Sequence, residues 1–173
     1  MADPEHLERL HAGARVWNRW RQEDSRGRPN LRAADLKGID LAGFNLSQTY
    51  LSNADLSHAY LFEANLEAIN FHGANLSHCC LIGVNLSQGY LAEANLYHAY
   101  LSQANLTAAY FGRTNLQKAD LTGSLVHGTY FGQADIGEAD FTQVQNLDPM
   151  QLRLAQNCES AILTSPPELS QHA

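Results

Sequence analysis

The stretch "NLYHAYLSQANLTAAYF", residues 95–111, decides the fold, because a leucine or phenylalanine returns at every fifth place: Leu96, Leu101, Leu106 and Phe111. On an α-helix a five-residue step rotates the side chain by roughly 140° and scatters these residues around the cylinder; on a strand an odd step sends them to alternate faces. Neither regular element buries such a set. For every fifth residue to point inward, the chain must turn by a constant angle per five residues about a common axis, which makes it a coil.

The pattern extends far beyond the quoted stretch. From Leu31, through Leu36, Leu41 and onward to Phe131, Ile136 and Phe141, 23 consecutive centres are 17 Leu, 4 Phe, 1 Val and 1 Ile. Two residues before most centres stands a small residue, such as Ala54, Ala64, Ala94 or Ala134, and one before stands mainly Asn, Asp or Tyr. The unit is A(N/D/Y)Lxx, and a repeat of this kind is sought before any helix or strand is assigned.

The residue before each centre also sets the size of the coil. Twenty-residue steps give the columns Asp35, Asp55, Asn75, Asn95, Asn115, Asp135 and Asn45, Asn65, Asn85, Asn105, with Tyr50, Asn70, Tyr90, Tyr110 and Tyr130 in a third. Fifteen-residue steps would mix Asp35 with Tyr50, Asn65 and Cys80. Asn ladders and stacked aromatics stabilise in-register strands about 4.8 Å apart. Four sides and twenty residues per coil follow.

Tandem A(N/D)Lxx over residues 29–143 resembles the pentapeptide repeat proteins. The resemblance implies an all-β solenoid, a right-handed quadrilateral β-helix whose centre and preceding small residue face inward while the other three face out. Nearly six coils would make a tower of about 27 Å, filled by Leu and Phe with no lumen for a ligand. The "WNRWR" of residues 17–21, followed by "RPNLRAADL", resembles the lead-in segment of cyanobacterial members.

Terminal coils expose apolar side chains and strand edges, so both ends need closing. Residues 1–28 are read as a capping helix and linker, with Asp3 as N-cap, Pro4 in the first turn, and Leu7, Leu10, Ala14 and Trp17 at helical spacing. Residues 144–173 are read as a C-terminal capping helix and tail. The register slips by one at Leu147, Asp148 and Pro149 again mark a helix start, and a tail begins near Pro166.

No stretch of about 18 apolar residues and no apolar leader is present, and Cys79, Cys80 and Cys158 form an odd set without framework spacing. A cytoplasmic protein with reduced thiols and no membrane contact is expected. Residues 29–143 carry ten acids and four bases, a net of −6 within the total of −7. That balance disfavours direct nucleic-acid binding, which needs clustered bases. Arg9, Arg15, Arg19, Arg21, Arg26 and Arg28 gather near the N-terminus, but five acids are interleaved with them.

Candidate chemistry is sparse. His58, His78 and His98 form a twenty-residue column and are the candidate metal ligands, yet a linear stack about 4.8 Å apart suits convergent tetrahedral ligation poorly. His72 and His127 lie off that column. No phosphate-binding loop, HExxH or nucleophile elbow occurs, and Ser–His proximity in "LSHAY" is a by-product of the repeat. The chain reads as a non-enzyme without a cofactor. Its candidate interaction patch is Tyr60, Phe62, Cys80, Ile82 and Tyr100, outward residues flanking Leu61, Leu81 and Leu101, for a protein partner not specified by the sequence. The C-terminal end is a second possible contact, since some family members dimerise there, leaving monomer and dimer both open. The resemblance also implies an alternative, since quinolone-resistance members mimic duplex DNA and bind DNA gyrase. Here, however, the outward columns are rich in Asn, Tyr, Ser and Gln, and the 23 centres run without a loop insertion.

If the centres are interior, Leu81→Asp should unfold the middle coils, because it brings a charge into an apolar core. Circular dichroism and urea unfolding would show the loss; a native-like, cooperatively unfolding variant would place Leu81 outside the core.

Overall fold

The protein is described here by a computed structural model covering residues 1–24 and 27–163. Within these bounds the repeat segment is a β-solenoid. Each coil takes twenty residues: Asp35 pairs in parallel with Asp55, Asp55 with Asn75, Tyr60 with Cys80 and Cys80 with Tyr100, and the neighbouring columns follow the same step. Among the described residues no extended strand forms. Each pairing is a single-residue bridge followed by a turn.

The turn explains why strands stay so short. The second residue after every centre, from Ala33 (φ 54°) through His58 (φ 61°) to Gln143 (φ 56°), lies in the left-handed region, and only six of these 23 residues are glycine. The third residue after the centre donates back to it, as Ile69 N–H does to Leu66 O at 3.2 Å. A four-residue turn with positive φ only at its second central position is a type II turn. One such turn every five residues forms a corner before a strand can lengthen.

The backbone accounting closes in the repeats with Asn or Asp before the centre. Around Leu66, the centre's N–H donates to Asn85 O (2.7 Å) in the next coil, Ala68 N–H to Ser87 O (2.8 Å), and Asn70 N–H to Thr49 O (2.9 Å) in the previous one. The remaining donor, Glu67 N–H, is taken by the Asn65 side chain at 3.1 Å. Asn65 also donates its amide to Asn45 Oδ1, and Asn85 to Asn65 Oδ1. The Asn/Asp preference is thus a corner requirement: only a short side-chain acceptor two residues back reaches that N–H.

All 23 centres are buried, and the small residues before them fill the remaining space. Phe111 stacks on Phe131 (5.5 Å), which meets Phe141 edge-on (5.7 Å). Of the polar inner residues, Thr114 donates to Leu91 O (2.8 Å) and Thr129 to Leu106 O (2.7 Å), whereas the buried Thr49 and Ser124 hydroxyls have no partner among the described residues.

The N-terminal segment differs from the single expected helix. It folds as α1 (Pro4–His11), N-capped by Asp3, and α2 (Ala14–Glu23). Gly13, at φ 93°, takes a conformation open mainly to glycine and breaks the run. The apolar stripe still faces inward: Leu10 and Trp17 are buried, and Leu7 and Ala14 pack against the core. Helix α2 supplies the hydrogen bonds that an earlier coil would otherwise give. Trp17 Nε1 donates to Asn45 O (2.7 Å), Asn18 Oδ1 accepts from Asn45 N–H (2.8 Å), and Arg21 donates to Ser47 O (2.9 Å).

The C-terminal segment is less helical than expected. α3 (Pro149–Arg153) has Asp148 as its cap and Pro149 in its first turn. The chain then rejoins the ladder, with Gln156 beside Asp135 and Ile162 beside Asp140, so the pairing step lengthens from 20 to 21 and then 22. The slip noted at Leu147 is the inserted helical turn. Arg26 and the tail from Pro166 lie outside the described residues.

Trp17→Ala removes a fully buried ring and a hydrogen bond, and should cost about 3–5 kcal/mol in urea unfolding. A loss under about 1 kcal/mol would show that α2 does not stabilise the first coil.

Candidate interaction surface

The twenty-residue coil places the five patch residues on one side of the tower. Tyr60, Cys80 and Tyr100 are bridged neighbours in one column, continued by Asp40 below and Asp120 and Asp140 above. Phe62 and Ile82 occupy the same place in successive coils, two residues further along the chain. Tyr60, Phe62 and Tyr100 are 59%, 45% and 49% exposed, while Cys80 and Ile82 are half-buried.

A second tyrosine column provides the control. Tyr90, Tyr110 and Tyr130 stack at 5.3 and 4.8 Å with nearly parallel rings. Two residues after each stands Ala92, Gly112 or Gly132, and a Cβ added at either glycine would overlap the Tyr110 or Tyr130 ring. Those rings therefore lie down on small residues and on one another. In the patch, the corresponding places hold Phe62, Ile82 and Ser102, and Cys80 interrupts the ring series. Among the described residues neither Tyr60 nor Tyr100 forms a ring pair. Sequence alone made the two columns look alike, although the residue two places after each tyrosine distinguishes them.

The backbone does not separate the two columns. With Tyr or Cys ahead of the centre, no short side-chain acceptor reaches the next corner, and the Phe62 and Ile82 N–H groups, like those of Ala92, Gly112 and Gly132, have no acceptor among the described residues. The patch thus combines exposed apolar side chains with two unpaired backbone donors.

The histidine column borders this side at a corner. His58 and His78 stack at 4.9 Å and 3°, and His78 and His98 at 5.5 Å and 15°. Their ring planes are parallel, so the in-plane nitrogen lone pairs do not converge on one point. Among the described residues no group of three or more His, Cys, Asp or Glu side chains is placed to hold a metal ion. Lys118 continues this column and meets Glu138 at 3.9 Å. Arg113 pairs with Glu93 at 3.6 Å.

The cysteines are unpaired. Cys79 is interior, donates to Leu56 O at 2.7 Å, and burial pushes its thiol up to about 12. Its neighbour Cys80 is the half-buried thiol of the patch. At the C-terminal end Met150, Leu154 and Ile162 are exposed. No helix among the described residues is long and apolar enough to cross a membrane.

Eight copies of the pentapeptide repeats pattern match, in blocks 30–67, 50–88, 69–107 and 90–128, more than half of the chain. The chain belongs to the pentapeptide repeat family. It is similar to HetL, a pentapeptide repeat protein involved in heterocyst differentiation regulation from the cyanobacterium Nostoc, at 24% identity over 66% of this chain and 67% of HetL, with a TM-score of 0.42. A pentapeptide repeat protein from the Arabidopsis thaliana thylakoid lumen shares 31% identity over 68% of this chain and 74% of its own, with a TM-score of 0.31. QnrB1, a plasmid-mediated fluoroquinolone resistance protein, shares 15% over 78% and 86%, with a TM-score of 0.35. No curated protein matches.

Two aspartates in the ladder tie stability to pH. Asp55 is held below the ordinary carboxylate range, foremost by the Ser57 N–H and then by the Ser57 side chain. Burial raises Asp135, but hydrogen bonds from Asn157, Gln117 and Gly137 outweigh it and the net shift is downward. A depressed native value means that the contribution is present above the unfolded value, about 3.9, and is lost as pH falls through the native one. Unfolding midpoints should therefore drop below about pH 4, and less so in Asp55→Asn, Asp135→Asn, which keeps the Oδ1 acceptor for the corner N–H while removing the titrating carboxylate. An equal drop in the variant would locate the acid sensitivity elsewhere.

Proposed function

We propose that this protein is a right-handed quadrilateral β-helix, closed at its ends by α1–α2 and α3, that works in the cytoplasm as a non-enzymatic interaction scaffold. Its docking surface for a protein partner is the side carrying Tyr60, Phe62, Cys80, Ile82 and Tyr100. The observation that carries this reading is the contrast between the two tyrosine columns. Tyr90, Tyr110 and Tyr130 are folded onto their own tower. Tyr60 and Tyr100 form no ring pair among the described residues and are 59% and 49% exposed.

The ladder lowers the cost of binding on this side. Its backbone is fixed by hydrogen bonds in every repeat, so little conformational entropy is lost when a partner docks. Apolar side chains supply burial, and the unpaired Phe62 and Ile82 N–H groups supply directional contacts. The filled interior leaves recognition to the outer surface.

The test immobilises wild type and a Phe62→Asp, Ile82→Asp variant of matching circular dichroism, passes native lysate over both, and identifies the retained proteins by mass spectrometry. A protein held by wild type alone supports the patch as the docking surface. Gyrase held equally by both would replace this reading with acidic DNA mimicry. Specific retention by neither would remove the support for an interaction role.

A further inference from the structure

One column of the ladder stops a coil early. Leu125, Asp135 and Asp140 each have a parallel neighbour in the turn above, at Gln145, Gln156 and Ile162, whereas Tyr130, the last of the Tyr90–Tyr110–Tyr130 column, has none among the described residues. The cause is α3. The chain leaves the five-residue rhythm at Asn146 (φ 57°), and the residues that a further coil would place above Tyr130 are taken up in the helical turn Pro149–Arg153.

The coil beneath shows the bonds that this side otherwise makes. There, Ala108 N–H donates to His127 O (2.8 Å), Phe111 N–H donates to Tyr130 O (2.8 Å), and Tyr130 N–H donates back to Ala109 O (3.0 Å). One coil up, the equivalent groups are Gly128 N–H, Phe131 N–H and Thr129 O, and none of the three has a partner among the described residues. Phe131 is the one repeat centre whose N–H finds no acceptor there. Gly128, Thr129 and Phe131 line a cavity of about 360 Å³ together with Tyr130, Leu147 and Gln151, a size within the range of small-ligand sites. Gln151 Oε1 is also buried without a partner. Unpaired groups of this kind are costly when withdrawn from water, and they are regained by a ligand of the complementary pattern.

We propose that this opening binds the main chain of a short peptide turn from a partner protein, which supplies the missing rung. One peptide carbonyl accepts from Gly128 N–H, a second, three residues on, accepts from Phe131 N–H, and the N–H of that last residue donates to Thr129 O. The inference is independent of the Tyr60–Tyr100 patch, which belongs to another column. Main-chain pairing to an unpaired edge gives such a contact its affinity, and side chains give it specificity. The ladder dictates both. The second residue of the turn takes the place of Gly128 (φ 66°) in the coil below, so glycine suits it, and proline before it favours a type II turn. The last residue comes to lie over Tyr130, whose ring rests on Tyr110 at 4.8 Å and 14°, so an aromatic side chain extends the stack.

The alternation of donors and acceptors selects a neutral peptide over an anion. An anion accepts from the two N–H groups but offers nothing to Thr129 O or Gln151 Oε1, and Asp148 also lines the cavity. The first turn of α3 adds no free donor at these places, because Met150 N–H is taken by Asp148 Oδ1 (2.9 Å) and Gln151 N–H by Asp148 O (2.9 Å).

The test titrates the isotope-labelled full chain with acetyl-Pro-Gly-Ala-Tyr-amide and follows the backbone amides by NMR. The Gly128 and Phe131 resonances should shift saturably and their hydrogen exchange should slow. An analogue carrying an ester oxygen in place of the tyrosine N–H should bind about tenfold more weakly, as expected on losing one hydrogen bond, and it leaves the protein itself unaltered. No saturable change at Gly128 and Phe131 would overturn the proposal. Equal affinity for the ester would remove the bond to Thr129 O and with it the main-chain pairing. Sodium acetate reproducing the shifts at the same concentration would make the opening an anion site instead. Sedimentation showing a dimer, with both amides already protected before any peptide is added, would give the opening to a second copy of this chain and equally overturn the proposal.

Discussion

The hydrogen bond from an Asn or Asp side chain to the N–H two residues on is the constraint on which the rest of this structure depends. A chain that turns every five residues leaves one backbone donor per corner facing no neighbouring coil. The side chain before the centre accepts it, as Asn65 does for Glu67 and Asn75 for Ser77. The same residues then stack at twenty-residue steps, Asn95 on Asn75 and Asn115 on Asn95. A local turn requirement becomes a long-range register.

That register in turn holds a strained backbone in place. Seventeen non-glycine residues occupy left-handed corners, a conformation that disfavours L side chains by about 1–2 kcal/mol each. They remain there because the bonds to adjacent coils and the buried centres together over-determine each corner. The outer surface inherits this rigidity. Departures from the Asn/Asp rule are where the tower can offer something to another molecule, and Tyr60 and Cys80 are such departures, beside exposed Phe62 and half-buried Ile82.

Much of this was legible from the residues alone. The centres read as interior by their unbroken spacing, and the columns Asp35 to Asp135 and Asn45 to Asn105 separated a twenty-residue coil from a fifteen-residue one. Local breaks were harder to read. Gly13 divides a segment whose Leu7, Leu10, Ala14 and Trp17 spacing is compatible with one helix, because periodicity records the buried face and not the continuity of the axis. After α3 the chain returns to the ladder at Gln156 and Ile162, outside any five-residue rhythm. The roles of Asn18 and Arg21 at the first coil had no pattern to announce them, since hydrogen bonds to exposed carbonyls depend on docking geometry. The patch residues were identifiable by type, yet their distinction from the stacked tyrosines emerges only when Gly112 and Gly132 are seen beneath the rings.

The most direct measurement of the central claim is residue-resolved amide hydrogen exchange of the native protein. If side-chain acceptors complete the corners, Glu67, Ser77, Ser87, Thr107 and Gln117 amides should be protected, while those of Phe62, Ile82 and Ser102, which follow Tyr or Cys, should exchange markedly faster. Uniform protection across both sets, or fast exchange after Asn65 and Asn85, would contradict an Asn/Asp-governed ladder and, with it, the account of why this side of the tower is open to a partner.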